Sequence, residues 1–471
     1  MGVAVSSWRL ASAVARTGQL GVVSGTALDV VVARRLQDGD AGGHLRRALA
    51  HFPVPEMAER VLSRYFLPDG RPDGTPYSPI PRLAVPQSRA SQELAVVGNF
   101  VEVWLAKEGH DGLVGINFLE KVQMATASAA YGAVLAGVDY VLVGAGIPRE
   151  VPGLLTLLAR HEPARLRVDV PGTQDEFAVH LDPVDLLGTR LPELPRPQFL
   201  AIISAHVLGG YLARDEATRP DGFVIEGHRA GGHNAPPRGR VALNEDGEPI
   251  YGVRDEVSLA AMAEIGLPFW LAGTYGTPDQ VQAALATGAA GVQVGTVFAL
   301  CRDSGFTEDL RDELLRQLAD GSLQVRTDPL ASPTGFPFKV VQLTDTLADG
   351  ETLGRRSRIC DLGYLRTPYQ RSNGALGYRC AAEPEQVYVR KGGKPEETTG
   401  RMCLCNGLTA NVGLAQSRRD GYVEQRVVTL GADLDGARHL LKVFPDGWGA
   451  DDAVEWLLSA VLAPEPTAET G

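Results

Sequence analysis

Phe223-Val224-Ile225-Glu226-Gly227-His228-Arg229-Ala230-Gly231-Gly232-His233 is the stretch that decides the fold. Its first three residues are branched or aromatic and predict a buried parallel strand. The strand breaks into a Gly-rich turn that ends in a histidine. Glycines let the backbone pass close to a flat ligand, and the turn delivers His233 at the strand's C-terminal end. Two units of the same kind follow, Phe269-Trp270-Leu271-Ala272-Gly273-Thr274 and Gly291-Val292-Gln293-Val294-Gly295-Thr296. Three successive units that end in glycine and polar groups predict the ligand face of an α/β fold, a (β/α)8 TIM barrel.

Upstream, Leu20–Ser24, Leu113–Phe118, Asp139–Gly144 and Phe199–Ser204 read as strands of the same barrel. That makes seven, and an eight-stranded barrel needs one more. Met1–Ser6 resembles the turn after a first strand, so either the true start lies upstream of Met1, the favoured expectation, or the missing strand is supplied differently. An insertion at about residues 50–95 contains the Pro-rich stretch Leu67–Pro86, too long for a passive connection. It reads either as a lid over the site or as a surface excursion. A second insertion, at about 165–195, alternates around Pro171-Gly172 as a hairpin does. The barrel is expected over residues 1–328, and a smaller, irregular, Cys-containing C-terminal region over 329–462. The Pro- and Glu-rich tail, 463–471, is expected to be disordered.

The bulk numbers narrow the class. A chain of 471 residues with net charge −12 is a poor partner for nucleic acid or an anionic membrane. The longest apolar stretch, Ala127–Gly146, is broken by Asp139 and reads as a helix followed by a strand, not as a membrane span. No basic segment followed by an apolar run opens the sequence, and five cysteines in an acidic chain suit a reducing compartment. The expected localisation is cytoplasmic, with a homo-oligomer open.

A phosphate site is expected beside the last two strands. Thr277-Pro278-Asp279-Gln280 forms a capped helix start. Gly273 and Gly295 permit close approach of a ligand, and the Thr296 hydroxyl adds a hydrogen bond. Loops after the seventh and eighth strands of barrels commonly hold a phosphate on free backbone N–H groups. Each Gly-Thr pair alone is equally a tight turn.

Taken together, these motifs resemble the nitronate monooxygenase (2-nitropropane dioxygenase) family of FMN-dependent barrels, over about residues 1–325. The resemblance implies that Asn117, in Gly115-Ile116-Asn117-Phe118, contacts the flavin and that Gly231 approaches it. It implies that His233 is the catalytic base, that Gly273 is the FMN-phosphate glycine, and that Gln293-Val294-Gly295-Thr296 is the last phosphate-binding motif. Two positions depart from the family. Glu226 stands where the family has glutamine, and Arg229 where it usually has glutamate. A glutamine donates a hydrogen bond to a flavin or substrate oxygen, whereas an ionised glutamate only accepts. Glu226 is therefore expected to be protonated in a dry site or to disfavour an anionic substrate, with Arg229 and His228 as possible offsets.

Without the resemblance His233 reads equally well as a structural hydrogen-bond partner. With it, a neutral imidazole that takes the α-proton of a nitroalkane or positions a nitronate is the expected role. Cys360, Cys380, Cys403 and Cys405 suit zinc or an iron–sulfur cluster. Their spacing is not two Cys-x-x-Cys knuckles, and small buried residues without a ligand are the plain alternative. Cys301 reads as core. The leading expectation is an FMN-dependent oxidoreductase that converts alkyl nitronates and O2 to a carbonyl compound and nitrite. The alternatives are an NAD(P)H-dependent FMN enoyl reductase, trans-acting in lipid or polyketide assembly, and a non-enzymatic flavin or metal scaffold.

Overall fold

The structure, a computed structural model, describes residues 2–462; the expected disordered tail at 463–471 lies outside them. All seven expected strands are present: β1 (Gly21–Ser24), β2 (Val114–Leu119), β3 (Tyr140–Gly144), β4 (Gln198–Ile203), β5 (Gly222–Glu226), β6 (Phe269–Ala272) and β7 (Gly291–Gln293). They form one all-parallel sheet in chain order. Among the described residues its two edges, β1 and β7, do not pair with each other. The fold is thus of the α/β barrel type, with seven strands where an eight-stranded barrel has one more.

The strands from β2 to β6 are largely buried on both faces, as βα crossovers require, while β7 is only partly buried. Residues of one parity, including Leu142, Leu200, Ile202, Val224 and Ala272, pack together as one cluster. The other parity, including Val23, Ile116, Val143, Phe199 and Phe223, joins the large core shared with the helices. The register aligns the strand ends, with Ser24 opposite Asn117, Glu226 opposite Ala272, and Ala272 opposite Gln293.

The opening turn packs where the sequence placed it. Val3 and Ala4 are buried, the Ser24 N–H donates to Ser6 O at 2.8 Å, and the Gly305 N–H donates to Val5 O at 2.7 Å. The helix Ala450–Leu462 lies against both Trp8–Arg16 and Pro278–Ala286, so it fills the outer ring between the first and last βα units. Just before it, Trp448 is fully buried and its indole N–H donates to Val297 O at 3.0 Å. The expected hairpin is an antiparallel pair, Ala164–Val168 with Phe177–Leu181.

Leu67–Pro86 does not cover the ligand face. Tyr77 and Leu83 are buried, and the segment is tied to the C-terminal region. The Tyr77 N–H donates to Gln416 Oε1 (2.8 Å), the Val85 N–H to the Tyr378 hydroxyl (2.7 Å), and Arg82 to Cys360 O (3.3 Å). The cover over the strand ends comes instead from residues 329–462, which carry the apolar side chains able to shield a site.

Candidate active site

One cavity opens at the C-terminal strand ends. Period-two alternation turns Asn117, Gly144, Ile202 and Glu226 toward it from four strands, and Gly231, Gly232 and His233 enter from the turn after β5. Its opposite wall is apolar and comes from the C-terminal region: Phe338, Tyr364, Leu365, Leu404 and Leu408. Asn117, Glu226, Gly231 and His233 are thus brought together as expected. Gly273 and Gln293–Thr296 occupy the two neighbouring strand ends and do not line this cavity.

The Gly-rich turn is fixed to its neighbour. The Gly227 N–H donates to Ala272 O and the Ala230 N–H to Gly227 O, both at 3.1 Å. Gly273 follows β6 at φ +117°, a conformation that strains any residue with a Cβ. The close approach at Gly231 is to protein, not to open space. A Cβ there would sit 2.9 Å from the carbonyl carbon of Leu430 and 3.0 Å from the nitrogen of Gly431. The segment Thr429–Ala432 crosses here. The Gly232 N–H donates to Thr429 Oγ1 (2.8 Å) and the Ala432 N–H to Arg229 O (2.9 Å).

That same crossing reaches the expected phosphate corner, where the Gly431 N–H donates to Thr296 Oγ1 at 2.9 Å. Gly295 has open space on the side where a Cβ would lie. The helix Pro278–Ala286 begins with the expected capping box: Thr277 and Gln280 exchange backbone and side-chain bonds at 3.0 and 3.4 Å.

His233 is held from two directions. Its Nε2 is 2.7 Å from Ser332 Oγ, and its ring meets Phe338 edge-on at 4.9 Å. Ser332 Oγ also accepts the Thr334 N–H (3.2 Å) and lies 2.8 Å from Thr334 Oγ1. The whole network is satisfied if Nε2–H donates to Ser332 and Ser332 donates to Thr334, which leaves Nδ1 with its lone pair. Burial, helped by the nearby Lys121 charge, drives the imidazole pKa well below its usual value. His233 is neutral at pH 7.

Lys121 does not line the cavity but acts electrostatically on two residues that do, Glu226 and His233, and the sequence reading missed it. It follows β2 in a short helical turn, and its Nζ is buried without a hydrogen-bond partner, 3.3 Å from the centre of the Phe336 ring. Burial lowers its pKa to about 7, opposed by Glu120 and Glu226. Glu226 moves the other way: burial pushes its carboxyl up to about 7, and Lys121 holds it back. Lys121 is thus a cation that offsets Glu226. Arg229 is exposed, and His228 stacks on Tyr251 at 4.3 Å. A lone lysine in a turn looks like a solvated side chain in sequence; only the fold reveals its burial.

The four C-terminal cysteines all line a second cavity. Among the described residues, no three or more His, Cys, Asp or Glu side chains are arranged to hold a single metal ion. The zinc form of the expectation for these residues is accordingly unsupported, and no metal site among the described residues bears out the iron–sulfur form. Cys301 is buried in a different core, as expected, with its thiol pushed up to about 12 by burial. No helix among the described residues is long and apolar enough to cross a membrane.

A parallel βα sheet that gathers a histidine, a carboxylate and an amide at its C-terminal strand ends defines a barrel protein with a ligand site on that face. Residues 203–328, which build this corner, match the nitronate monooxygenase family model. A nitronate monooxygenase from Metarhizium robertsii, npaC, is 33% identical over 115 residues, 24% of this chain. The match spans 30% of that relative's length. Solved structures similar to the chain include FabK from Thermotoga maritima, with 14% identity and a TM-score of 0.45 over 97% of this chain and 89% of that one. A nitroalkane oxidase from Streptomyces ansochromogenes gives 15% identity and 0.43 over 98% and 94%. The enoyl reductase domain of MlnA from Bacillus amyloliquefaciens gives 12% and 0.44 over 78% and 84%.

Proposed function

We propose that the protein is an FMN-dependent oxidoreductase that oxidises alkyl nitronates with O2 to a carbonyl compound and nitrite. The observation that carries this reading is His233: neutral, held at Nε2 by Ser332, and facing the same cavity as Asn117 and Glu226.

The residues fit a flavin mononucleotide. Polar strand ends facing an apolar wall suit a planar ring with one polar edge, and the open turn at Gly295 suits its phosphate. Asn117, Glu226 and Gly231 would border the ring, with Gly273 and Gln293–Thr296 around the phosphate. The bound flavin would supply the electron transfer and oxygen chemistry. The chain's own part is proton handling and charge. Nδ1 of His233 accepts the α-proton of a nitroalkane, or hydrogen-bonds a nitronate once protonated. Lys121, close enough to bias both His233 and Glu226, favours an anionic substrate and offsets the carboxylate. Phe338, Leu365, Leu404 and Leu408 exclude water and accept the alkyl part.

The same apolar wall supports a second reading, an NAD(P)H-dependent enoyl reductase whose acyl chain lies along those leucines. An anaerobic absorbance experiment separates the two. Purified protein with FMN is mixed in parallel with an alkyl nitronate and with NADPH. Bleaching by nitronate alone is expected; bleaching by NADPH alone would replace the first reading with the second.

A further inference from the structure

We propose that Cys360, Cys380, Cys403 and Cys405 are the four ligands of a polynuclear iron–sulfur cluster set against the wall of the active-site cavity.

The first observation is convergence. The four residues come from three separate stretches of chain, yet all line one small cavity. They are four of the five cysteines in the sequence. A core that merely needs small apolar residues has no reason to draw them to one void, and Cys301 shows what such a residue looks like alone.

The second observation is the shape of the set. A tetrahedral zinc site draws its sulfurs in to about 2.3 Å from one point. Among the described residues no three His, Cys, Asp or Glu side chains are grouped to hold one ion, yet all four cysteines border the same cavity. Four cysteines around a volume is the arrangement that a polynuclear cluster requires.

The third is charge. Arg356, Arg358, Arg366 and Arg82 all act electrostatically on these sulfurs. Three of them are anchored by backbone carbonyls. Arg358 donates to Ala381 O and Thr398 O (both 3.0 Å), Arg366 to Gly363 O (3.1 Å), and Arg82 to Cys360 O (3.3 Å). Neutral buried thiols gain nothing from fixed cations, whereas thiolates bound to iron do. Amide donors complete the setting. Asn406 Nδ2 lies 3.6 Å from Cys403 Sγ, and backbone N–H groups of Leu365, Ala382 and Asn406 point at Cys405, Cys380 and Cys403. Such donors tune cluster sulfurs.

Leu365, Leu404 and Cys405 line both this cavity and the one that contains His233. The cluster would therefore sit one side chain away from the active site. This inference does not depend on which substrate is oxidised there.

The full-length protein, purified without oxygen, is assayed for iron, acid-labile sulfide and zinc, and by electron paramagnetic resonance after dithionite. Matched iron and sulfide with a reduced-cluster signal are expected, with iron kept in Cys301→Ser and lost in Cys405→Ser. Zinc in place of iron overturns the proposal. So does the absence of iron after anaerobic reconstitution with ferrous iron and sulfide. The wild-type assays decide the matter even if Cys405→Ser fails to fold.

Discussion

Nε2 of His233 and Oγ of Ser332 meet at 2.7 Å across 99 residues of sequence, joining the turn after β5 to the first residues of the C-terminal region. The catalytic candidate therefore takes its orientation from outside the barrel. Replacing His233 with Ala is expected to lower kcat on a neutral nitroalkane, whose α-proton the base must take, by about 10²–10⁴-fold, the usual worth of a general base. Ser332→Ala keeps the base but loosens its tautomer and aim, so about a tenfold loss is expected, roughly one hydrogen bond. Steady-state kinetics on both variants checks the order of the two losses; equal rates in His233→Ala and wild type would remove the base from the mechanism.

Lys121 titrates at about 7 because it is buried. As pH rises through that value, the ammonium is lost and so is its pull on an anionic substrate. KM for a nitronate is expected to rise above about pH 7 in the wild type, while Lys121→Met shows a high KM with little pH dependence. The pH profile of kcat/KM in the two proteins is the measurement. A neutral substrate should show no such difference.

Glu226 has a folded pKa raised toward 7 by burial. A carboxyl raised in this way holds its proton in the folded state, so its contribution to stability is present at low pH. That contribution is lost as pH rises from the unfolded value, about 4.3, through about 7. Glu226→Gln has no such loss. The difference in Tm between the variant and the wild type should therefore grow from pH 5 to pH 8, as differential scanning fluorimetry can show.

Arg356 and Glu424 form a two-bonded ion pair, at 2.9 and 3.0 Å, with side chains 1% and 0% exposed. Arg418 joins it, bonded to Asp361 at 2.7 and 2.8 Å and to Glu424. Removing one member strands buried charge, so Glu424→Ala is expected to cost about 3–5 kcal/mol, read by urea denaturation. Glu424→Gln, which keeps the shape but not the charge, should also lose stability.

The barrel was legible in the sequence because its signals are local. Branched runs closed by glycine, as in Asp139–Gly144 and Phe223–Gly227, mark buried parallel strands without reference to the rest of the chain. The capping box at Thr277 and Gln280 is equally local. The cover was not legible. Ser332, Phe338, Leu404 and Leu408 lie in short irregular segments with no sustained period, and their meeting with His233 is a matter of long-range packing. For the same reason Leu67–Pro86 looked free to close over the site, when it is strapped to residues 360–416. Lys121 escaped notice because burial of an ammonium is decided by neighbours far away in sequence.

The position of the helix Ala450–Leu462, between the first helix of the chain and Pro278–Ala286, has a consequence for synthesis. The seam between β1 and β7 is latched by residues that emerge from the ribosome more than 400 positions after the helix they must clasp. A nascent chain that has already made every strand still holds an open-sided sheet. Final closure waits for translation to pass Leu462, so a ribosome stalled in the 440s should display a protease-sensitive barrel that the complete chain does not.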